Sequence, residues 1–436
     1  MADPEAIVAA AEAAVDRDRL VELCAAMVDI ASPTGNEGPL ARLLASEMTA
    51  SGLDGRTQDL TKGSWLGGDM ANAYGRWRGD SSDRSLMLYA PLDTVTTGDP
   101  AEDLPWAGPN MRADMTPAAE TRDGLVIGLG AQNPKGHGAC VLVAGEALAA
   151  VEAPLGGDLL FGFGAGGMPT NRRRPGLHPG HGVGCAALVD LVQPDEAVIA
   201  KTGWAISWEE VGLMWFTVEV EGTHTYVGSR HLLPYRNAIA DASHIVSGLE
   251  RWFPTWAESH RDGLVAPQGV VASIEAGWER MAAFTPAVCR FSVDLRISPR
   301  TTPDEAARAF ISEVERLARE IGAEATCSVD VTIPGTTTSP SSPIITSAIR
   351  CWEDLEGRAH QPIAGLSGAT DANILRSHGV PTARVGLPKV SSDRLKADFQ
   401  LGMNAVDVDD MERLTKLLIR IAVDRLGVGD GSGVRA

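Results

Sequence analysis

The sequence predicts an α/β domain with a mostly parallel sheet covered by helices on both faces, interrupted by a smaller α+β domain of ferredoxin-like order. Three observations predict it. Short, wholly apolar runs alternate with helical patterns through the first half of the chain. Strict two-residue alternation takes over from about residue 212, and buried-run patterning returns after the loop PGTTTSPSSP at 334–343. A continuous apolar run marks a strand buried on both faces, whereas clean alternation marks a sheet with one face covered and one wet.

Each element follows in order. Residues 3–30 carry a helical pattern and ARLLASEMTAS (41–51) another, with the loop SPTGNEG between them. SLMLYA (85–90) reads as a buried strand that ends at Pro91-Leu92-Asp93. Arg122-Asp123-Gly124 is a turn signal. It precedes GLGAQNPKGHGAC (128–140), a strand end feeding a helix over Ala139–Val151 through a loop that presents Asn133. DLLFGF (158–163) and EAVIA (196–200) are further buried strands.

In the second unit, LMWFTVEVE (213–221) alternates and Asn237–Phe253 is helical. Val270–Glu275 and RFSVDLRI (290–297) alternate again, and TCSVDVTI (326–333) is the fourth such strand. Between the last two lies an amphipathic helix, Thr302–Ile321, where Thr302 and Glu305 form a capping box around Pro303. Strand–helix–strand–strand–helix–strand is the ferredoxin-like order. TARVG (382–386) and a closing helix at Val408–Gly427 complete the first domain. That domain is therefore expected to comprise residues 1–211 and 336–436, with 212–335 inserted, and the tail GDGSGVRA is expected to be disordered.

With 436 residues, 44% of them hydrophobic, the chain can build two full cores. Thirty-eight basic against 57 acidic residues give a formal charge of −19. That balance argues against nucleic acid or anionic membrane as partners, because phosphate recognition needs a basic surface. The acidic, Ala-rich start lacks the basic and apolar regions of a signal peptide. No window reaches the roughly 18 apolar residues of a membrane span. Six scattered cysteines show no CxxC pair, and no GxSxG nucleophile motif is present. The expectation is a cytoplasmic protein.

These segments resemble the acetylornithine deacetylase, succinyl-diaminopimelate desuccinylase and glutamate carboxypeptidase family of zinc-dependent amidohydrolases. The resemblance spans nearly the whole chain. It is carried by Asp123-Gly124 followed by GLGAQNPKG, by RFSVDLRISPRTTPDEA and by SGATDANILRSHGVPTARVG. It implies that the inserted domain is a lid and a homodimer interface. It also implies a two-zinc site: a His two residues before an Asp, a bridging Asp, a Glu-Glu pair, another acid and a final His. In this sequence the first His position is Pro91, with Asp93 retained, and the bridging Asp is Asn133. The Glu-Glu pair falls on Gly166-Gly167, the next acid on Lys201 and the last His on Gln400. Pro and Gly offer no side-chain ligand, Asn and Gln are weak neutral ones, and Lys brings a positive charge. The family zinc pair is therefore expected to be absent, and no cofactor is expected in its place.

Asp93, Asn133, Lys201 and Gln400 should still converge, since ligands of open α/β sheets bind outside the carboxyl ends of the strands. Lys201 is either an electrophilic clamp or lowered-pKa base partnered by Asp93, or half of an ion pair filling an emptied cavity. The resemblance places Tyr226, with His224 two residues earlier, where a family His crosses to the other subunit and steadies the reacting carbonyl. The family Asn that contacts a substrate carboxylate falls on Ala283. Trp204, Arg174, Thr370 and Asp371 are candidate substrate contacts; Trp204 and Trp208 read equally as core residues, and Arg172-Arg173-Arg174 as a solvated turn. Two function classes stay open: an enzyme acting on an amide or other C–N bond of a small polar metabolite, and a non-catalytic relative that binds a ligand or protein. A rebuilt metal site, from His178 and His181 with Asp93 or Glu209, is a third reading.

Overall fold

The computed structural model describes residues 3–60, 68–168, 182–390 and 403–429. Helices α1 (Pro4–Ala13), α2 (Arg17–Val28) and α3 (Gly38–Ala50) precede strands β1 (Arg56–Asp59), β2 (Ala71–Trp77) and β3 (Ser85–Pro91). Helix α4 (Pro100–Ala107) and strands β4 (Glu120–Arg122) and β5 (Leu125–Ile127) lead to α5 (His137–Ala150), β6 (Asp158–Gly164), α6 (Val183–Val192) and β7 (Glu196–Ala200). There follow β8 (Glu209–Glu210), β9 (Gly212–Glu221), α7 (Ala238–Ser259), β10 (Gly269–Ala276) and β11 (Val288–Ile297). Helix α8 (Pro303–Glu320), β12 (Ala325–Ile333) and β13 (Thr336–Thr337) come next. The chain closes with α9 (Pro343–Glu356), α10 (Ala372–Ser377), β14 (Thr382–Val385), β15 (Ala405–Asp407) and α11 (Val408–Leu426).

The main sheet runs β1-β2-β6-β3-β7-β14. Its last four strands are parallel, and β2 and β1 are added antiparallel at one edge. Strand β3 shows why its sequence is apolar throughout. Leu86, Leu88 and Ala90 enter the core beneath α1, α2, α3, α5, α9 and α11, while Met87 and Tyr89 enter the opposite core beneath α6 and α10. Both faces are buried, so no position is left for a polar residue.

The second sheet, β10-β11-β9-β12, is antiparallel in every pair. This is the expected ferredoxin-like arrangement. Alternate residues of β11 are buried, and Phe291, Val293 and Leu295 join Phe216, Leu249 and Phe310 in a separate core under α7 and α8. The expected capping box is present, with Glu305 N donating to Thr302 Oγ1 at 3.3 Å and Thr302 N to Glu305 Oε2 at 2.9 Å. The ladder of β8 with β13 stands where the chain enters and leaves this sheet. No helix among the described residues is long and apolar enough to cross a membrane.

Three of the differences from expectation have a local cause. The pattern over 3–30 is two helices, because Asp16 accepts from Asp18 N and Arg19 N at 2.9 and 3.1 Å and starts a second one. Helix α7 continues through Pro254 to Ser259, held by buried Phe253 and Trp256. Helix α9 begins inside the segment read as loop: Ser342 is its N-cap and Pro343 its first residue.

Candidate functional site

The carboxyl ends of β3, β6, β7 and β14 lie along one edge of the main sheet, with Pro91 paired to Gly164 and Val385 to Ala200. Asp93, Gly166 and Lys201 each follow one of these ends. Asp93 is buried, and its Oδ2 accepts from Thr34 Oγ1 at 2.8 Å and Met168 N at 2.9 Å. Beside it Glu37, fully buried, accepts from Gly35 N at 3.0 Å and Gly166 N at 2.8 Å through Oε1, while Oε2 has no partner among the described residues. Burial, then the charge of Asp93, pushes the Glu37 carboxyl up to about 8. The segment after β6 thus serves two acids with backbone N–H groups. Its glycines permit this: Gly166 has φ +62°, and a Cβ on Gly167 would stand 2.7 Å from Asp93 Oδ1.

Lys201, half-buried, is fixed through its backbone, which donates to Val385 O at 3.0 Å. Burial lowers its pKa; Asp93, Asp371 and Glu210 oppose that shift and Arg384 adds to it. Asp371 precedes α10 and receives the Tyr89 hydroxyl on Oδ2 at 2.6 Å, while its buried Oδ1 has no partner among the described residues. Burial raises the Asp371 carboxyl to about 7. Its neighbour Thr370 donates to Glu210 Oε2 from both N (2.9 Å) and Oγ1 (2.7 Å). Glu210 Oε1 takes Arg384 Nη1 at 3.0 Å, and Arg384 Nη2 reaches Thr202 O at 2.8 Å, one residue beyond Lys201. Glu37, Asp93, Lys201, Asp371, Glu210 and Arg384 therefore form one electrostatic network.

Asn133 joins from the loop before α5. Its Nδ2 donates to Met403 Sδ at 3.2 Å and its buried Oδ1 has no partner among the described residues. Asn133 and Asp93 line a cavity of about 150 Å³ walled by Trp106, Met115, Met168 and Met403. Lys201 does not line it. Gln132, the residue before Asn133, bonds Thr202 Oγ1 at 3.1 Å and ties this loop to the segment after β7.

The other expected residues fall elsewhere. Trp204 packs on the main core with the Arg413 guanidinium 4.3 Å from its ring centre, and Trp208 packs on the same core; neither lines the cavity. His224 and Tyr226 sit on the surface of the inserted domain, both against Phe284, and His224 Nδ1 meets Thr285 O at 2.8 Å. Glu209 is committed to Arg300 at 2.7 Å and to Leu264 N. Arg172, Arg173, Arg174, His178, His181 and Gln400 lie outside the described residues. All six cysteines are free, and burial pushes the Cys24 thiol up to about 12, far from a thiolate at neutral pH.

Among the described residues, the donor set around Asp93 does not suit a metal pair. Pro91 ends a strand, glycines occupy 166 and 167, and position 201 is a lysine. Among the described residues, no three His, Cys, Asp or Glu side chains are grouped to hold an ion. Glu37, Glu210, Arg384 and Tyr89 were missed from sequence. Nothing local distinguishes Glu37, because an acid just before a helix reads as a cap or a solvated residue.

No family model matches the chain. Solved structures do share its fold. Human carnosine dipeptidase 1 superposes with a TM-score of 0.71 at 16% identity, over 98% of this chain and 100% of that one. An aminopeptidase from Bacillus cereus gives 0.65 at 17% identity, over 94% and 99%. A dinuclear metal-binding peptidase from Bacillus subtilis gives 0.59 at 14%, over 95% and 99%. Across nearly their whole lengths, then, this chain and these peptidases have one fold.

Proposed function

We propose that the chain is a hydrolase of an amide or other C–N bond in a small polar metabolite, and that it works without a metal pair. The observation that carries this reading is Lys201: a half-buried lysine just after a parallel strand, in the field of Asp93 and Asp371. A vacated site is stabilised more cheaply by apolar filling than by buried charge, so the retained charges point to use.

In this reading the Lys201 ammonium polarises the scissile carbonyl and holds its oxygen as negative charge develops. Asp93 accepts a proton from the attacking water. The C–N bond then breaks and the leaving nitrogen takes a proton, for which Asp371, raised to about 7, is the nearest store to neutrality. Asn133 orients the substrate from the cavity. Residues 212–335 act as lid and homodimer surface, and exposed His224 or Tyr226 crosses to the partner's cleft as a second donor to the oxyanion. Lys201→Met should abolish turnover across a panel of amides and ureido compounds while leaving the fold intact. Unchanged turnover would sink the mechanism.

One observation favours a second reading, a ligand-binding protein without catalysis. Asp93 and Glu37 already accept backbone N–H groups, and the adjoining cavity is largely apolar. Ligand-dependent thermal shifts with no turnover would select it.

A further inference from the structure

The segment that leads to Asp371 leans on the inserted domain rather than on its own. Among the described residues, every hydrogen bond of residues 361–369 goes to the insert. Leu366 N donates to Leu264 O and Leu366 O accepts from Ala266 N, both at 2.9 Å, and Ser367 Oγ donates to Ala266 O. Ala369 packs on Leu213, Val331 and Ile333 of β9 and β12. Leu264, Val265 and Ala266, in the connection from α7 to β10, are all buried.

That connection is in turn gripped by the first domain. Glu209, buried in β8, takes Leu264 N on Oε1 and Arg300 Nη1 on Oε2, the latter at 2.7 Å. Arg300 Nη2 donates to Asp262 O at 2.7 Å, and Nε pairs with the Asp262 carboxylate. One planar guanidinium fork therefore ties the turn at 262–264 to the Glu209 carboxylate. The turn closes on Glu209 because residue 263 is a glycine with φ +58°, where a Cβ would collide with Glu209 Oε1. The next acid, Glu210, takes Thr370 N and Oγ1 at 2.9 and 2.7 Å. Strand β8 thus holds the insert with one residue and the site with the other.

We infer that Arg300 and Glu209 form a latch through which the seated insert positions Thr370 and Asp371. With the latch open, residues 361–369 lose the hydrogen bonds named above, and the chain entering Thr370 is no longer anchored. Coupling of this kind travels through contiguous bonded contacts, and here each contact has named partners. Arg300 and Glu209 are positioning residues, since neither lines the cavity beside Asp93. The latch rests on the lid reading above for its use and needs none of the proposed chemistry.

The test is hydrogen exchange of the full chain without ligand, followed by mass spectrometry in the parent, Arg300→Met and Ser367→Ala. Arg300→Met should quicken exchange at least about tenfold in 262–266 and in 366–373 together, the effect of losing hydrogen bonds to a charged group. Ser367→Ala, which removes one neutral bond, should quicken the same segments about threefold. Strands β3, β6 and β11 should keep the parent's rates in both variants. The amides of 370–373 decide the matter, because their partners are Glu210 and Thr370 and none is bonded to Arg300. A merely local role for Arg300 would leave them unmoved. Unchanged exchange in 370–373, or equal quickening in every segment, overturns the inference. Ser367→Ala decides by the same reading if Arg300→Met does not fold. Coupled exchange without amide turnover would keep the latch and remove the hydrolase reading; turnover with 370–373 unmoved would do the reverse.

Discussion

The inserted domain and the carboxyl edge of the main sheet are held together by opposite means. In the insert, alternate side chains of β9 and β11 meet α7 and α8 in a core of Phe216, Phe291 and Phe310, with polar groups turned outward. At the sheet edge the buried groups include Glu37, Asp93, Glu210, Asp371 and Arg384, tied by hydrogen bonds to backbone and to one another. Apolar burial stabilises without needing a particular partner. Buried charge is costly unless its partners are complete. A region that keeps such charge is paying in stability for something other than stability.

That contrast can be broken or sharpened. The largest expected effect is at Glu210, fully buried and bonded to Arg384 and Thr370. Glu210→Ala leaves the guanidinium uncompensated and should cost about 3–5 kcal/mol in urea unfolding; a loss under about 1 kcal/mol would mean the network is not structural. Phe310→Ala, whose ring centre lies 4.2 Å from that of Phe216, should cost about as much through its cavity, 3–5 kcal/mol. Its damage should stay within the insert, read as hydrogen exchange quickened in residues 212–335 and not in the main sheet. Equal loss of protection in the main sheet would show that the two regions are not separable.

A pH series is the next test. Glu37 and Asp371 are raised to about 8 and 7, above their unfolded values, so the folded chain holds protons that the unfolded chain releases. Their contribution is complete below about pH 4 and is lost as pH rises through 7 to 8. Relative to the parent, Asp371→Asn should therefore gain stability from pH 4 to pH 8, read as converging urea midpoints; a constant gap would contradict the raised carboxyl. The smallest effect is at Thr302, where Thr302→Ala removes one half of a capping box and should cost about 1 kcal/mol.

The same contrast explains what could be read from sequence. RFSVDLRI declares a strand because its burial has period two, and Asp123-Gly124 declares a hairpin because both residues adopt positive φ, 52° and 73°. The paired acids carry no such periodicity. Tyr89 meets Asp371 across 282 residues and Glu210 meets Arg384 across 174, separations that local pattern does not span. Glu210 sits in SWEEVG beside Glu209, and the two acids looked alike. On a strand they point to opposite sides, Glu209 toward Arg300 and Glu210 toward Arg384. The three-residue strands β4, β5 and β15 were equally hidden, being too short to show a period.

The proposed reaction needs no metal pair at this site. Metal content per chain, by plasma mass spectrometry on protein purified without chelator or affinity nickel, tests it most directly. Because tight ions need a complete set of deprotonated ligands, the account predicts less than about a tenth of an ion per chain. One or more tightly held ions per chain would contradict it, and His178 and His181 would then be the first residues to replace.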